Sequence, residues 1–339
     1  MQKKVLSEED PKKLIISAQE NLKLIERNKG AKDKFPIQFL NEHNENYFLV
    51  EPNRKAMLLE YAKNDGKSAG FLPKGIVAML VGAGGVGKTH LLAQLAISIA
   101  TGTPFLDAYT PTKHCGANGQ GNIFLGLGEN QYDDIHRLLY KATKHLRQKV
   151  PTLLDSDSNL FQASKRIAAF SFCGQQASFI ENGKPSIYFR ELKMRLEDTA
   201  PKDGWTLIIL DPISRLMGAD AETDNAAATQ FIALLEELTI DLPGNPTIVF
   251  AHHANKSSIQ SGTSQNQSAA RGASALTDGV RWQCNYTKDA NTDTATLKMT
   301  KSNFTAIIEE IKTKKDVDGF IERCTHTEEK IKAPTGHKY

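Results

Sequence analysis

A chain of 339 residues with 40% apolar and 24% charged side chains has the size and composition of a soluble globular protein that can bury a full core. Its 42 basic and 39 acidic residues leave a formal charge of +3, which excludes a broad basic surface and confines any polyanion contact to local features. Cys115, Cys173, Cys284 and Cys324 are scattered, with no C-x-x-C pair and no histidine spacing of a zinc site, so reduced thiols in the cytoplasm are expected. The N-terminus lacks an apolar signal core, no apolar run is long enough to span a bilayer, and no membrane association is expected.

Residues 7–28 read as an amphipathic helix: Ser7 can cap it, Pro11 suits its first turn, and Leu14, Ile15, Ala18, Leu22 and Ile25 recur at helical spacing before Gly30. The rest of an N-terminal extension over 1–65 is polar and irregular, with one short helical candidate at 55–62. From about residue 66 the text changes to apolar strands alternating with helices. Strands are predicted at 76–81, 122–127, 168–173, 206–210 and 247–251, and helices at 88–100, 131–148, 186–199 and 226–238. That alternation predicts an α/β domain over 66–310, built on a mostly parallel central sheet flanked by helices. Residues 294–300 alternate as an added edge strand, and 311–339 read as a polar, poorly ordered tail.

Between the first core strand and the first core helix lies Gly82-Ala-Gly-Gly-Val-Gly-Lys-Thr89, which fits G-x-x-x-x-G-K-[ST] in the strand-to-helix position the motif requires. Glycines let backbone N–H groups converge on phosphate oxygens, and the helix directs its positive end at the anion. Gly82, Gly84, Gly85, Val86, Gly87, Lys88, Thr89 and the adjoining His90 are therefore the expected nucleotide contacts. Lys88 neutralises the β- and γ-phosphates and Thr89 offers its hydroxyl to Mg²⁺. The second Mg²⁺ residue is expected at the end of a neighbouring strand, where Thr206-Leu-Ile-Ile-Leu-Asp211 supplies Asp211. Pro212 follows it, so the carboxylate that positions the attacking water must come from elsewhere. Glu129, after the strand at 122–127, would lie beside the γ-phosphate if that strand neighbours the first one; Glu222 and Asp224 are the weaker alternatives.

The strand at 247–251 runs into His252-His253 and then into a long polar stretch over 254–270. Adjacent strand residues face opposite ways, so one imidazole can reach the γ-phosphate as a sensor while its neighbour packs. The polar stretch then becomes an arm attached to the sensor.

VAMLVGAGGVGKTHLLAQLAISIATG, GLGENQYDDIHRLL, LIILDPISR, IVFAHHANK and ARGASALTDGVRWQCNY, in this order and spacing, resemble the RepA-type hexameric replicative helicases of plasmids, within the RecA-like superfamily that also holds the DnaB-type helicases. The resemblance implies a homohexamer with ATP and Mg²⁺ between neighbouring subunits. It matches Glu129 to the family's water-activating glutamate and His253 to its γ-phosphate sensor, with His252 the alternative. It matches Arg281 to the arginine finger that enters the next subunit's site, with Arg271 as second choice. It further implies that the loops over 212–225, carrying Arg215, and over 254–270, carrying Lys256, line a channel and touch single-stranded DNA. A replication initiator or a primase is the kind of protein partner implied. The competing readings are a non-motor ATPase that switches assembly or partner binding, and a small-molecule kinase, for which no acceptor-binding lid is evident.

Overall fold

The computed structural model describes residues 39–40, 46–62, 68–149, 159–218, 224–255, 267, 274–290 and 292–324. The expected helix over 7–28 lies outside the described residues, as do Glu222, Lys256 and Arg271. The chain divides into two units, Met1–Arg54 and Lys55–Tyr339. In the first, the Leu49 N–H donates to the Asn46 carbonyl at 2.8 Å and the Tyr47 ring meets Phe48 edge-on.

The second unit holds β1 (Met57–Ala62), β2 (Ser68–Pro73), β3 (Val77–Gly82), α1 (Lys88–Thr101), β4 (Tyr109–Pro111), β5 (Ile123–Leu127), α2 (Tyr132–Ala142), α3 (Lys144–Lys149), α4 (Asn159–Ser164) and β6 (Ile167–Ser171). It continues with β7 (Ile180–Glu181), β8 (Lys184–Pro185), α5 (Ile187–Asp198), β9 (Leu207–Asp211), α6 (Asn225–Asp241), β10 (Thr247–His253), α7 (Ser274–Gly279), β11 (Trp282–Lys288), β12 (Thr294–Ser302), β13 (Ile311–Lys315) and β14 (Ile321–Arg323).

β3, β5 and β9 are buried at every residue, as strands covered on both faces must be, which is why their apolar runs do not alternate. The large sheet has the order β14-β13-β12-β11-β3-β10-β9-β5-β6. From β11 to β6 all neighbours are parallel, and β12, β13 and β14 continue antiparallel. One face carries Ala78, Leu80, Val249, Ala251 and Cys284 against α1, and the other carries Val77, Met79, Val81, Ile248 and Phe250 against residues of α5, α6 and α7. α1 is buried almost throughout, which fits its nearly uninterrupted apolar sequence after Lys88.

Four expectations are corrected. The helical candidate at 55–62 is instead β1, the middle strand of a sheet ordered β2-β1-β4; Leu58 and Leu59 are fully buried there, and distant pairing overrides a weak local preference. The helix expected over 131–148 breaks at Thr143 into α2 and α3. β12 is not an edge strand, because β13 pairs along its free side. The expected tail boundary at 310 falls inside the sheet: Ile311, Thr313 and Ile321 are buried, an alternation hidden in the polar text IKTKKDVDGFIER. Gln94 of α1 secures this hairpin by accepting from the Ile321 N–H at 2.8 Å and donating to the Ile321 carbonyl at 2.9 Å.

Candidate nucleotide site

The phosphate loop leaves β3 at Gly82, where a Cβ would stand 2.4 Å from the Tyr286 carbonyl of the adjacent β11, so only glycine allows the two strands to pack. Gly87 caps α1 with φ +111°, in the left-handed region that favours glycine. At Gly84 and Gly85 a Cβ would meet nothing within 4 Å, which leaves the concave side of the loop open to a ligand.

Lys88 is buried, and its ammonium donates to the Gly82 carbonyl at 2.8 Å and the Ala83 carbonyl at 3.0 Å. Burial lowers its pKa, while the charges of Asp211 and Glu129 work the other way. Burial likewise raises the Asp211 carboxyl, opposed by a hydrogen bond from the Thr89 hydroxyl and by the charge of Lys88. Each charged form is held in a poorly solvated place beside its counterpart, the usual condition of groups kept for a charged ligand. The open glycine cradle, the buried ammonium and the Thr89–Asp211 pair fit a nucleoside triphosphate with Mg²⁺: Lys88 and the loop amides would hold the phosphates, and Thr89 and Asp211 the metal. Bound there, Mg²⁺ supplies charge neutralisation at the phosphate oxygens.

Glu129 reaches this place by a different route from the one expected. β5 does not neighbour β3, since β9 and β10 stand between them. Leu127 instead pairs with Asp211 across β5 and β9, and the Gly128 N–H donates to the Asp211 carbonyl at 2.7 Å. Glu129 therefore follows directly on a strand end tied to the Asp211 strand, and its charge bears on both Lys88 and Asp211. Asp224, the described alternative, caps α6 by accepting from the Ala226 N–H at 2.7 Å.

The two histidines fall on opposite faces of β10. His253 is in register with Gly82 and half-buried, on the α1 side with Ala251. His252 is buried in the row Val81–Asn285 on the other side. That second face carries a polar group unexpected from the sequence: Gln283, fully buried, donates to the Asn285 side chain at 2.8 Å and to the backbone carbonyl of Gln267 at 2.9 Å. It thereby ties the polar stretch after β10 to the strand beside β3. The alternation Gln283-Cys-Asn285 at a sheet centre was its only sequence signal.

Arg215 stands at the site itself, with its Nη2 at 3.7 Å from Glu129 Oε1. Arg281 is exposed and precedes β11, and its N–H donates to the Val77 carbonyl where β3 begins. At roughly 3.3 Å per residue along β3, it lies on the order of 15–20 Å from the phosphate loop of its own chain.

Two solved structures share this architecture. One, described as the ATPase domain of a larger protein, is 10% identical, with a TM-score of 0.50 over 74% of this chain and 85% of that one. The other, "The Structure Of A DnaB-Like Replicative Helicase And Its Interactions With Primase", is 12% identical, with a TM-score of 0.50 over 74% of this chain and 57% of that one. At such identities the likeness is one of fold. A third, "Crystal structure of the RadB recombinase", is 14% identical, with a TM-score of 0.48 over 76% of this chain and 94% of that one. Residues 66–258, more than half of the chain and the stretch that carries the phosphate loop, Glu129, Asp211 and both histidines, match an AAA domain family, and the chain belongs to that AAA_25 family.

Proposed function

We propose that this protein is an ATP-driven motor that assembles as a homohexamer and translocates on single-stranded DNA, acting as a helicase in the replication of a plasmid or other mobile element. The observation that carries the reading is the path of β10, which runs beside Gly82 to His253 and leads directly into a polar segment. An element in contact with the phosphate loop is thus continuous with one suited to touch a polyanion.

In this reading Lys88 and the loop amides bind the triphosphate, Thr89 and Asp211 hold Mg²⁺, and Glu129 orients the attacking water. His253 senses the γ-phosphate and passes its loss to the segment carrying Lys256. Arg281, too far from its own phosphate loop to serve it, enters a neighbour's site and stabilises transition-state charge there, as an arginine supplied in trans does in other phosphoryl-transfer enzymes. Arg271 is the second choice for that role and His252 for the sensor. One lysine per subunit in a ring gives local positive charge on a nearly neutral chain, enough for backbone contact with DNA. The fold shared with a replicative helicase supports the reading, and makes a primase or replication initiator the protein partner to look for. Among the described residues no helix is long and apolar enough to cross a membrane, and we place the motor in the cytoplasm.

The test is ATP turnover against protein concentration, with and without single-stranded DNA, at low and moderate salt. A rate that rises with assembly and rises again with DNA in a salt-sensitive manner is expected. Activation by assembly with no response to DNA would instead favour a nucleotide-dependent switch of assembly or partner binding.

A further inference from the structure

Arg215 ends a single 3-10 turn, Ile213–Arg215, that follows the Asp211 strand. Ile213 is fully buried in that turn, and Leu216 and Met217 are buried directly after it. The start of the arginine side chain is therefore set by packing. Its stem crosses the end of β5, where a Cβ on Gly128 would stand 2.8 Å from Arg215 Cγ and 3.1 Å from Arg215 Cβ. The guanidinium then comes to 3.7 Å from Glu129, with both side chains more than half exposed, at 61% and 56%. Lys88, the other cation near Glu129, is already engaged by two loop carbonyls.

An exposed ion pair longer than a hydrogen bond is weak and easily displaced. A guanidinium also forms bidentate bonds with phosphate, so a nucleic-acid backbone is a strong competitor for it. We propose that Arg215 is a positioning residue for Glu129: at rest its guanidinium holds the carboxylate away from the water it activates, and a phosphate of bound DNA withdraws the guanidinium and frees it. Contact with the polymer and the start of hydrolysis are then one event at one side chain. This rests on the motor reading above, and assigns its DNA-dependent control to a particular pair.

The experiment compares the full-length wild type with Arg215→Gln and Arg215→Lys, measuring turnover at saturating ATP without DNA and with an oligothymidylate raised to saturation. The restraint predicts that Arg215→Gln gains about two- to fivefold in basal turnover, the range an exposed pair can hold back. Its ratio of stimulated to basal rate falls toward one even at saturating DNA, and its KM for ATP stays as in wild type. Arg215→Lys keeps the charge and should recover part of the low basal rate and part of the stimulation. A fall in basal turnover overturns the proposal, because Arg215 would then assist hydrolysis. Unchanged basal turnover with full stimulation regained at high DNA also overturns it, leaving Arg215 as a DNA contact alone. If DNA does not stimulate the wild type, the motor reading and the release step fail together; the restraint is then judged on basal rates, where an unchanged Arg215→Gln rate removes it too.

Discussion

Replacing Gln94 with leucine, which is close in size but cannot hydrogen-bond, tests whether the C-terminal hairpin belongs to the nucleotide site. The Gln94 side chain makes two buried bonds to Ile321, one to its N–H and one to its carbonyl. Leucine leaves both backbone groups without their partner, at about 1–3 kcal/mol each, or about 2–5 kcal/mol for the pair. β13 and β14 lie at the edge of the sheet, so the loss should appear as local opening of the hairpin and not as global unfolding. Native-state hydrogen exchange reads this directly: 2 kcal/mol corresponds to about a 30-fold loss of protection at the Ile321 amide. Gln94→Glu retains an acceptor for the Ile321 N–H and should fall between. The hairpin also touches the phosphate loop, since Gly319 stands so close to His90 that a Cβ there would be 2.6 Å from its Nε2, and Ile321 packs beside Gly87. Affinity for a fluorescent ATP analogue should therefore drop in the same variant. Protection of residues 311–323 within threefold of wild type would refute the docking and the energetic argument with it.

Glu129→Gln should bind nucleotide normally and lose at least a hundredfold in turnover, as expected when a group that acts on the attacking water is removed; near-normal turnover would remove it from the chemistry. Arg281→Ala should bind ATP without hydrolysing it, and mixing it with wild type should lower activity more than in proportion, whereas a linear mixing curve would argue against action in trans. His90 is lowered from its ordinary pKa by burial first, then by the charges of Lys315 and Lys141. Its folded form thus carries fewer protons than the unfolded chain below about pH 6.5, so stability falls as pH drops through that window. Melting temperatures at pH 7.5 and pH 5.5 should converge on acidification for His90→Gln and wild type if wild type is the more stable at neutral pH, or diverge in favour of the variant if it is not. Parallel shifts would assign the acid sensitivity to other groups.

The phosphate loop was legible because its chemistry is local: strand, glycines, Lys88-Thr89 and helix are contiguous, and no distant contact is needed to recognise them. The parallel sheet was legible for a related reason, since strands buried on both faces have no polar face to disguise them. β1 and the 311–323 hairpin were not, because their stability comes from partners far away in sequence. Met57–Ala62 becomes a strand by pairing with β2 and β4, and Ile321 is fixed by Gln94, 227 positions earlier.

The candidate site divides along the same line. The sequence alone determined which residue types could bind a triphosphate and that two neighbouring histidines must face opposite ways, because side chains alternate along any strand. Only the tertiary structure decided that His253 takes the α1 face, that Glu129 arrives through pairing of β5 with β9, that Arg215 meets Glu129, and that Arg281 is remote from its own phosphate loop. Strand order, which sets all four, depends on how whole faces pack and leaves no signature at the individual residues it brings together.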